Sequence, residues 1–177
     1  MIMPQALRRA TAAALACALP LLQPAAAEPS REELVRTAFV YNIAKFVDWP
    51  AESFPAGDLP LAFCVAGAGA LAAADASLAD KTIRDRPLRI VAAATRPAEH
   101  CHVAYVAGTA AVSPDAFAGW GTLVICDPEV AGRPGCIVRL GISDNRLRFA
   151  IDRGAAGRAN LRISSKLLAL ATDVVNP

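Results

Sequence analysis

The run Leu61-Ala62-Phe63-Cys64-Val65-Ala66 is apolar at every position and is bounded by Pro60 and Gly67. A strand with one wet face alternates polar and apolar residues, so an unbroken apolar run of this length reads as a strand buried inside a sheet. An Ala-rich helix over about residues 71–78 follows it. Further strands are expected at 88–93, 103–107 and 122–126, with a short helix between the last two, capped at Ser113 and opened by Pro114 and Asp115. Strand and helix alternating in this way predict a largely parallel sheet covered on both faces.

The flanks have their own signals. Ser30-Arg31-Glu32-Glu33 is a capping box, and Leu34, Val35, Ala38, Phe39, Ile43 and Phe46 have the spacing of one buried helical face, ended by Trp49-Pro50. Segments 137–142 and 146–151 are joined by Ser143-Asp144-Asn145, a hairpin signature. In the second segment Leu147, Phe149 and Ile151 alternate with Arg146, Arg148 and Ala150, leaving one face wet and basic. Residues 161–171 read as a closing helix capped at Ser164 or Ser165. The expected fold is therefore single-domain α/β: a mixed, largely parallel sheet covered by helices, with a C-terminal β-hairpin.

Residues 1–27 are expected to leave before this domain folds. Arg8 and Arg9, the apolar stretch 10–22 and Ala25-Ala26-Ala27 are the charged start, short apolar middle and small-residue end of a secretory signal peptide, too short to span a bilayer. Cys17 offers a lipid-anchor reading, but Ala14-Leu15-Ala16 places the leucine poorly for that processing. The mature domain is then 28–177, outside the cytoplasm. The chain carries 18 basic and 16 acidic residues, and the leader removes two arginines and no acid, so the mature domain is formally neutral. A neutral domain gives no reason to expect a nucleic-acid partner.

Four of the five cysteines remain after cleavage. In an oxidising compartment an even count reads as two disulfides, and four cysteines permit three pairings. Cys126 and Cys136 flank a turn-forming connection, so we expect Cys126–Cys136, which leaves Cys64–Cys101 between two strands.

Catalytic motifs are weak. Gly67-Ala68-Gly69-Ala70-Leu71-Ala72 matches G-x-G-x-x-A after a strand, but an Ala/Gly-rich chain produces that spacing easily, and we read it as a tight strand-to-helix turn rather than a cofactor site. His100 and His102 flank Cys101 and could share a strand face, yet a structural metal site wants four ligands. No G-x-S-x-G, H-E-x-x-H or P-loop occurs, and acids such as Asp80 and Asp85 read as solvated loop residues. We therefore expect no enzyme, no cofactor and no metal. Arg146, Arg148, Arg158, Arg162 and Lys166 gather in the last third, either as a solvated face or as a site for an acidic ligand or partner. Tyr41 and Trp49 are candidate interface aromatics.

The segments Thr37-Ala38-Phe39-Val40-Tyr41-Asn42-Ile43-Ala44-Lys45-Phe46-Val47-Asp48-Trp49-Pro50, Arg146-Leu147-Arg148-Phe149-Ala150-Ile151-Asp152 and Leu161-Arg162-Ile163-Ser164-Ser165-Lys166-Leu167-Leu168 together resemble the YfiR family of exported bacterial proteins. Essentially the whole mature chain is covered, in the same order. The resemblance implies a periplasmic regulator that represses an inner-membrane diguanylate cyclase through its periplasmic sensing region and is itself sequestered by an outer-membrane lipoprotein. It further implies control of cyclic di-GMP and biofilm formation, an α/β fold, a homodimer, and disulfides that maintain activity. Two places depart from the usual family pattern: Cys136 stands where a glycine is usual, and Ala150 where an acid is usual. A small-molecule sensor using the basic C-terminal patch is the alternative reading.

Overall fold

The structure, a computed structural model, describes residues 28–55, 57, 59–95 and 100–176; the expected leader lies outside them. Glu33 N–H donates to Ser30 Oγ (3.2 Å) and Ser30 N–H donates to Glu33 Oε2 (2.8 Å), so the capping box starts α1, Arg31–Ala44. The chain continues through β1 (Val47–Asp48), β2 (Leu61–Ala66), α2 (Ala68–Leu78), β3 (Thr82–Ile83), β4 (Arg86–Ala92) and β5 (Val103–Val106). A 3-10 turn, Pro114–Phe117, precedes β6 (Leu123–Cys126). Then come β7 (Val138–Ser143), β8 (Arg146–Asp152), α3 (Arg153–Arg158), β9 (Arg162–Ile163), α4 (Ser165–Leu170) and β10 (Asp173–Val175).

Eight strands form one sheet in the order β10-β8-β7-β6-β5-β2-β4-β3. From β4 to β7 neighbouring strands are parallel, while β3 and β8 run antiparallel at the flanks and β10 lies parallel to β8. β1 and β9 pair as a separate antiparallel ribbon.

Both faces are covered, by different means. The chain steps from β2 to β4 through α2, then passes back across β2 to β5, β6 and β7. Right-handed crossovers stepping in opposite directions lie on opposite faces of a sheet. One face accordingly packs Leu61, Phe63, Val65, Tyr105, Leu123 and Ile125 against residues of all four helices, including Val40, Ala74, Ala156 and Leu167. The other face presents Cys64, Ala66, Ala104, Val106, Val124 and Cys126 to Phe117, Val130 and their loops, and no described α-helix contributes to it. Both cysteine pairs lie in this second core: Cys64 with Cys101 at a Cα separation of 5.8 Å, and Cys126 with Cys136 at 5.9 Å.

Several local expectations shift. The buried residues of α1 are Thr37, Val40, Ile43 and Ala44, while Val35 is 55 % exposed and Ala38 is exposed, so the helix is rotated from the apolar face read in the sequence. The helix also ends at Ala44, ahead of Trp49-Pro50, because β1 must reach β9. Residues 161–171 divide into β9 and α4. Ser164 is the cap, its Oγ accepting from Leu167 N–H (3.2 Å). The hairpin turn is the pair Asp144 and Asn145, with φ of 51° and 56°, and Arg84-Asp85 make a similar turn between β3 and β4.

Candidate functional site

β2, β5 and β6 end at a common edge, and the direction in which successive strands are added reverses between β2 and β5. That is a topological switch point, where an α/β sheet opens a crevice. A cavity of about 330 Å³ lies there under α1 and the start of α2. Asp127 follows β6 directly and is buried; it accepts hydrogen bonds from Tyr105 Oη–H (2.7 Å), Gly108 N–H (3.0 Å) and Arg36 Nη1–H (2.8 Å). Arg36 also meets Glu32 at 2.6 Å and Glu129 at 3.2 Å. Burial, then the neighbouring Asp127 charge, pushes the Tyr105 phenol well above its ordinary value, so it remains a proton donor.

The glycine fingerprint is used internally. A side chain on Gly69 would collide with the Glu33 carboxylate, and one on Gly67, at φ +120°, would meet Ala107 Cβ at 2.8 Å. The glycines thus let α1 and β5 approach the start of α2, and the place a pyrophosphate would take holds a carboxylate of the same chain. With Glu32, Glu33, Asp127 and Glu129 around a single arginine, this crevice repels an anionic cofactor and serves to fasten α1 to the sheet.

His102 is equally committed. Its Nδ1 accepts Ala62 N–H (3.0 Å) and its Nε2 lies 2.9 Å from the Ser53 carbonyl, to which it donates; Phe54 stacks on the ring at 4.4 Å. His100 stands edge-on at 5.0 Å and is exposed. With both His102 nitrogens bonded to backbone, the histidine pair has no free lone pair on that ring for a metal.

The remaining sequence candidates do not converge. Tyr41 Oη donates to the Thr82 carbonyl (2.9 Å), and Trp49 Nε1 donates to the His102 carbonyl (3.0 Å). Arg162 lines a cavity with Trp49, Arg146 lines one with Val35 and Ile142, and Arg158 lines a third beside Cys136. Arg148 and Lys166 are exposed. Two arrangements were missed in the sequence. An apolar groove of about 430 Å³ separates α1 from the hairpin, with Val35 and Ile142 55 % and 60 % exposed and Arg31 and Arg146 at its rim. A cavity of about 310 Å³ brings Arg158 together with Arg133 and Arg139. Each draws its residues from distant segments, which no local sequence signal joins.

Residues 33–172 match the YfiR/HmsC-like family, and no curated protein matches the sequence. The chain belongs to this family. It is a family of periplasmic regulators of diguanylate cyclases rather than of catalysts. Among the described residues no helix is long and apolar enough to cross a membrane.

The fold gives the family signatures a physical meaning. Val47 pairs with Ile163 and Asp48 with Arg162, so the first signature segment and the last are joined as the β1–β9 ribbon. Ser164 N–H donates to the Phe46 carbonyl (3.0 Å), which sets the α4 cap against the end of α1. In this member of the YfiR/HmsC-like family, residues of the first and last of these segments are thus held together by backbone pairing.

Proposed function

We propose that the mature chain, residues 28–177, is a periplasmic regulator that binds the periplasmic sensing region of an inner-membrane diguanylate cyclase and holds the cyclase inactive, lowering cyclic di-GMP and biofilm formation. The family match over residues 33–172 carries this reading. Repression requires tighter binding to the inactive arrangement of the cyclase than to the active one. The contact falls on the groove between α1 and the hairpin, because Val35 and Ile142 offer apolar area to a partner and Arg31 and Arg146 give it a polar rim. Reduction of the two disulfides weakens the regulator and releases the cyclase. Homodimerisation and capture by an outer-membrane lipoprotein belong to the same reading.

The test is titration of the cleaved, oxidised protein against the cyclase's periplasmic domain, with Val35→Glu and Ile142→Glu compared at equal folding. Saturable binding weakened at least about tenfold by either charge is expected, since a desolvated apolar anchor contributes more than 1.4 kcal/mol. Absence of saturable binding by the oxidised protein overturns the reading. The sensor reading built on all five C-terminal basic residues is not favoured, because those residues line separate cavities or stand in solvent.

A further inference from the structure

Three arginines and a single acid line one cavity. Arg133 comes from the loop between β6 and β7, Arg139 from β7, and Arg158 from the end of α3. The ion pairs among the described residues engage Arg36 and Arg84 as their cations, and the side chains of these three arginines have no hydrogen-bond or ion-pair partner there. Arg139 is half-buried, and Arg133 and Arg158 are exposed. The one acid in the lining, Asp152, already accepts from Ala155 N–H at 2.7 Å, as the cap of α3. A concavity lined by charges of one sign raises the local concentration of counter-ions, so an anion is the ligand such a lining favours.

We propose that this cavity binds a small organic anion carrying at least two negative charges, of the phosphate-ester or dicarboxylate kind. The planar forks of three arginines match the oxygens of such groups, and Trp120, 45 % exposed at the rim, offers a flat face to the rest of the molecule. About 310 Å³ is the size of a small-molecule site rather than of a protein interface.

The Cys126–Cys136 bond makes the site sensitive to redox state. Cys136 lines the cavity, and the bond closes the ten-residue separation that carries Arg133. Gly135, at φ +100°, seats the same loop against the 3-10 turn, where a Cβ would lie 2.5 Å from Asp115 N and 2.8 Å from Pro114 C. Opening the disulfide frees the loop and withdraws Arg133, while Arg139 and Arg158 stay on the sheet and α3. This inference concerns the isolated protein and stands whether or not a cyclase is the partner.

Sodium pyrophosphate and sodium citrate serve as the phosphate and carboxylate probes, titrated by calorimetry into the oxidised protein at constant ionic strength. Saturable one-site binding of either is expected, and the tighter of the two names the ligand class. Arg133→Gln, Arg139→Gln and Arg158→Gln should each weaken it about tenfold or more, the effect of losing one charge-assisted hydrogen bond. Arg148→Gln, at an exposed arginine outside this cavity, should leave it unchanged. The double variant Cys126→Ser/Cys136→Ser should weaken binding as Arg133→Gln does; where the double variant does not fold, Arg133→Gln, which keeps the disulfide, still tests the anion site, and titration before and after mild reduction of the native protein tests its coupling to the bond. Equal weakening by Arg148→Gln, or undiminished binding in the triple glutamine variant, overturns the proposal, as does the absence of saturation with both probes.

Discussion

Protonating His102 removes a hydrogen bond, because the Nδ1 lone pair is what receives the Ala62 amide at 3.0 Å. Burial lowers its pKa below the ordinary 6.5; the Ser53 carbonyl opposes this, while His100, Arg86 and Arg89 add to it. The sign for stability follows from which state takes the proton first. The unfolded chain is protonated as pH falls past about 6.5, whereas the folded chain resists until a lower pH, so the contribution is complete above 6.5 and is lost as pH drops through the folded pKa. The melting temperature should therefore decline between pH 7 and pH 5. His102→Asn, which keeps an acceptor for Ala62 but does not titrate, should flatten that decline; an unchanged slope would place the acid sensitivity elsewhere. His102 also shows the limit of a sequence motif. The spacing His100-Cys101-His102 correctly set two rings near each other, at 5.0 Å, yet nothing in it revealed that backbone groups at positions 53 and 62 consume both nitrogens of one ring.

At the scale of elements, α1 is held both by its buried face and by one charged residue. Thr37, Val40, Ile43 and Ala44 face inward while Val35 stays in solvent, and Arg36 reaches across 91 residues of sequence to Asp127. Apolar residues on more than one side made the helix legible as a helix and its orientation illegible, since periodicity cannot choose between faces that are both apolar. β2 was legible for the opposite reason: six apolar residues in a row permit only a fully covered strand. β1, β9 and β10 have two or three residues each, too few to carry a period. The arginine-lined cavity was illegible because Arg133, Arg139 and Arg158 come to line one space only after β7, β8 and α3 are assembled. Asp127→Ala tests the role given to Arg36. It leaves the Tyr105 hydroxyl, the Gly108 amide and a largely buried guanidinium without their shared acceptor, and breaking such a pair from one side should cost about 3 kcal/mol in urea unfolding. A cost below about 1 kcal/mol would mean that Glu32 and Glu129 hold Arg36 by themselves.

For the whole molecule, the asymmetry of the two cores decides what the disulfides do. The helical face buries large side chains such as Phe63, Tyr105 and Ile125, while the opposite face is floored by Ala, Val and Cys and roofed by loops. Loops contribute little apolar area and retain freedom that folding must remove, so cross-links restricting the unfolded chain have most effect there. The chain-entropy relation separates the two bonds by length. A separation of 37 residues for Cys64–Cys101 corresponds to about 4 kcal/mol, and one of 10 for Cys126–Cys136 to about 3 kcal/mol. Binding of an anion should rank them the other way, because only Cys136 lines the arginine cavity. Paired serine variants, Cys64→Ser/Cys101→Ser and Cys126→Ser/Cys136→Ser, should thus lose stability in the first order and pyrophosphate or citrate affinity in the second. If one variant suffered the larger loss in both measurements, global loosening would explain the redox response and the local coupling of the β6–β7 loop to Arg133 would fall.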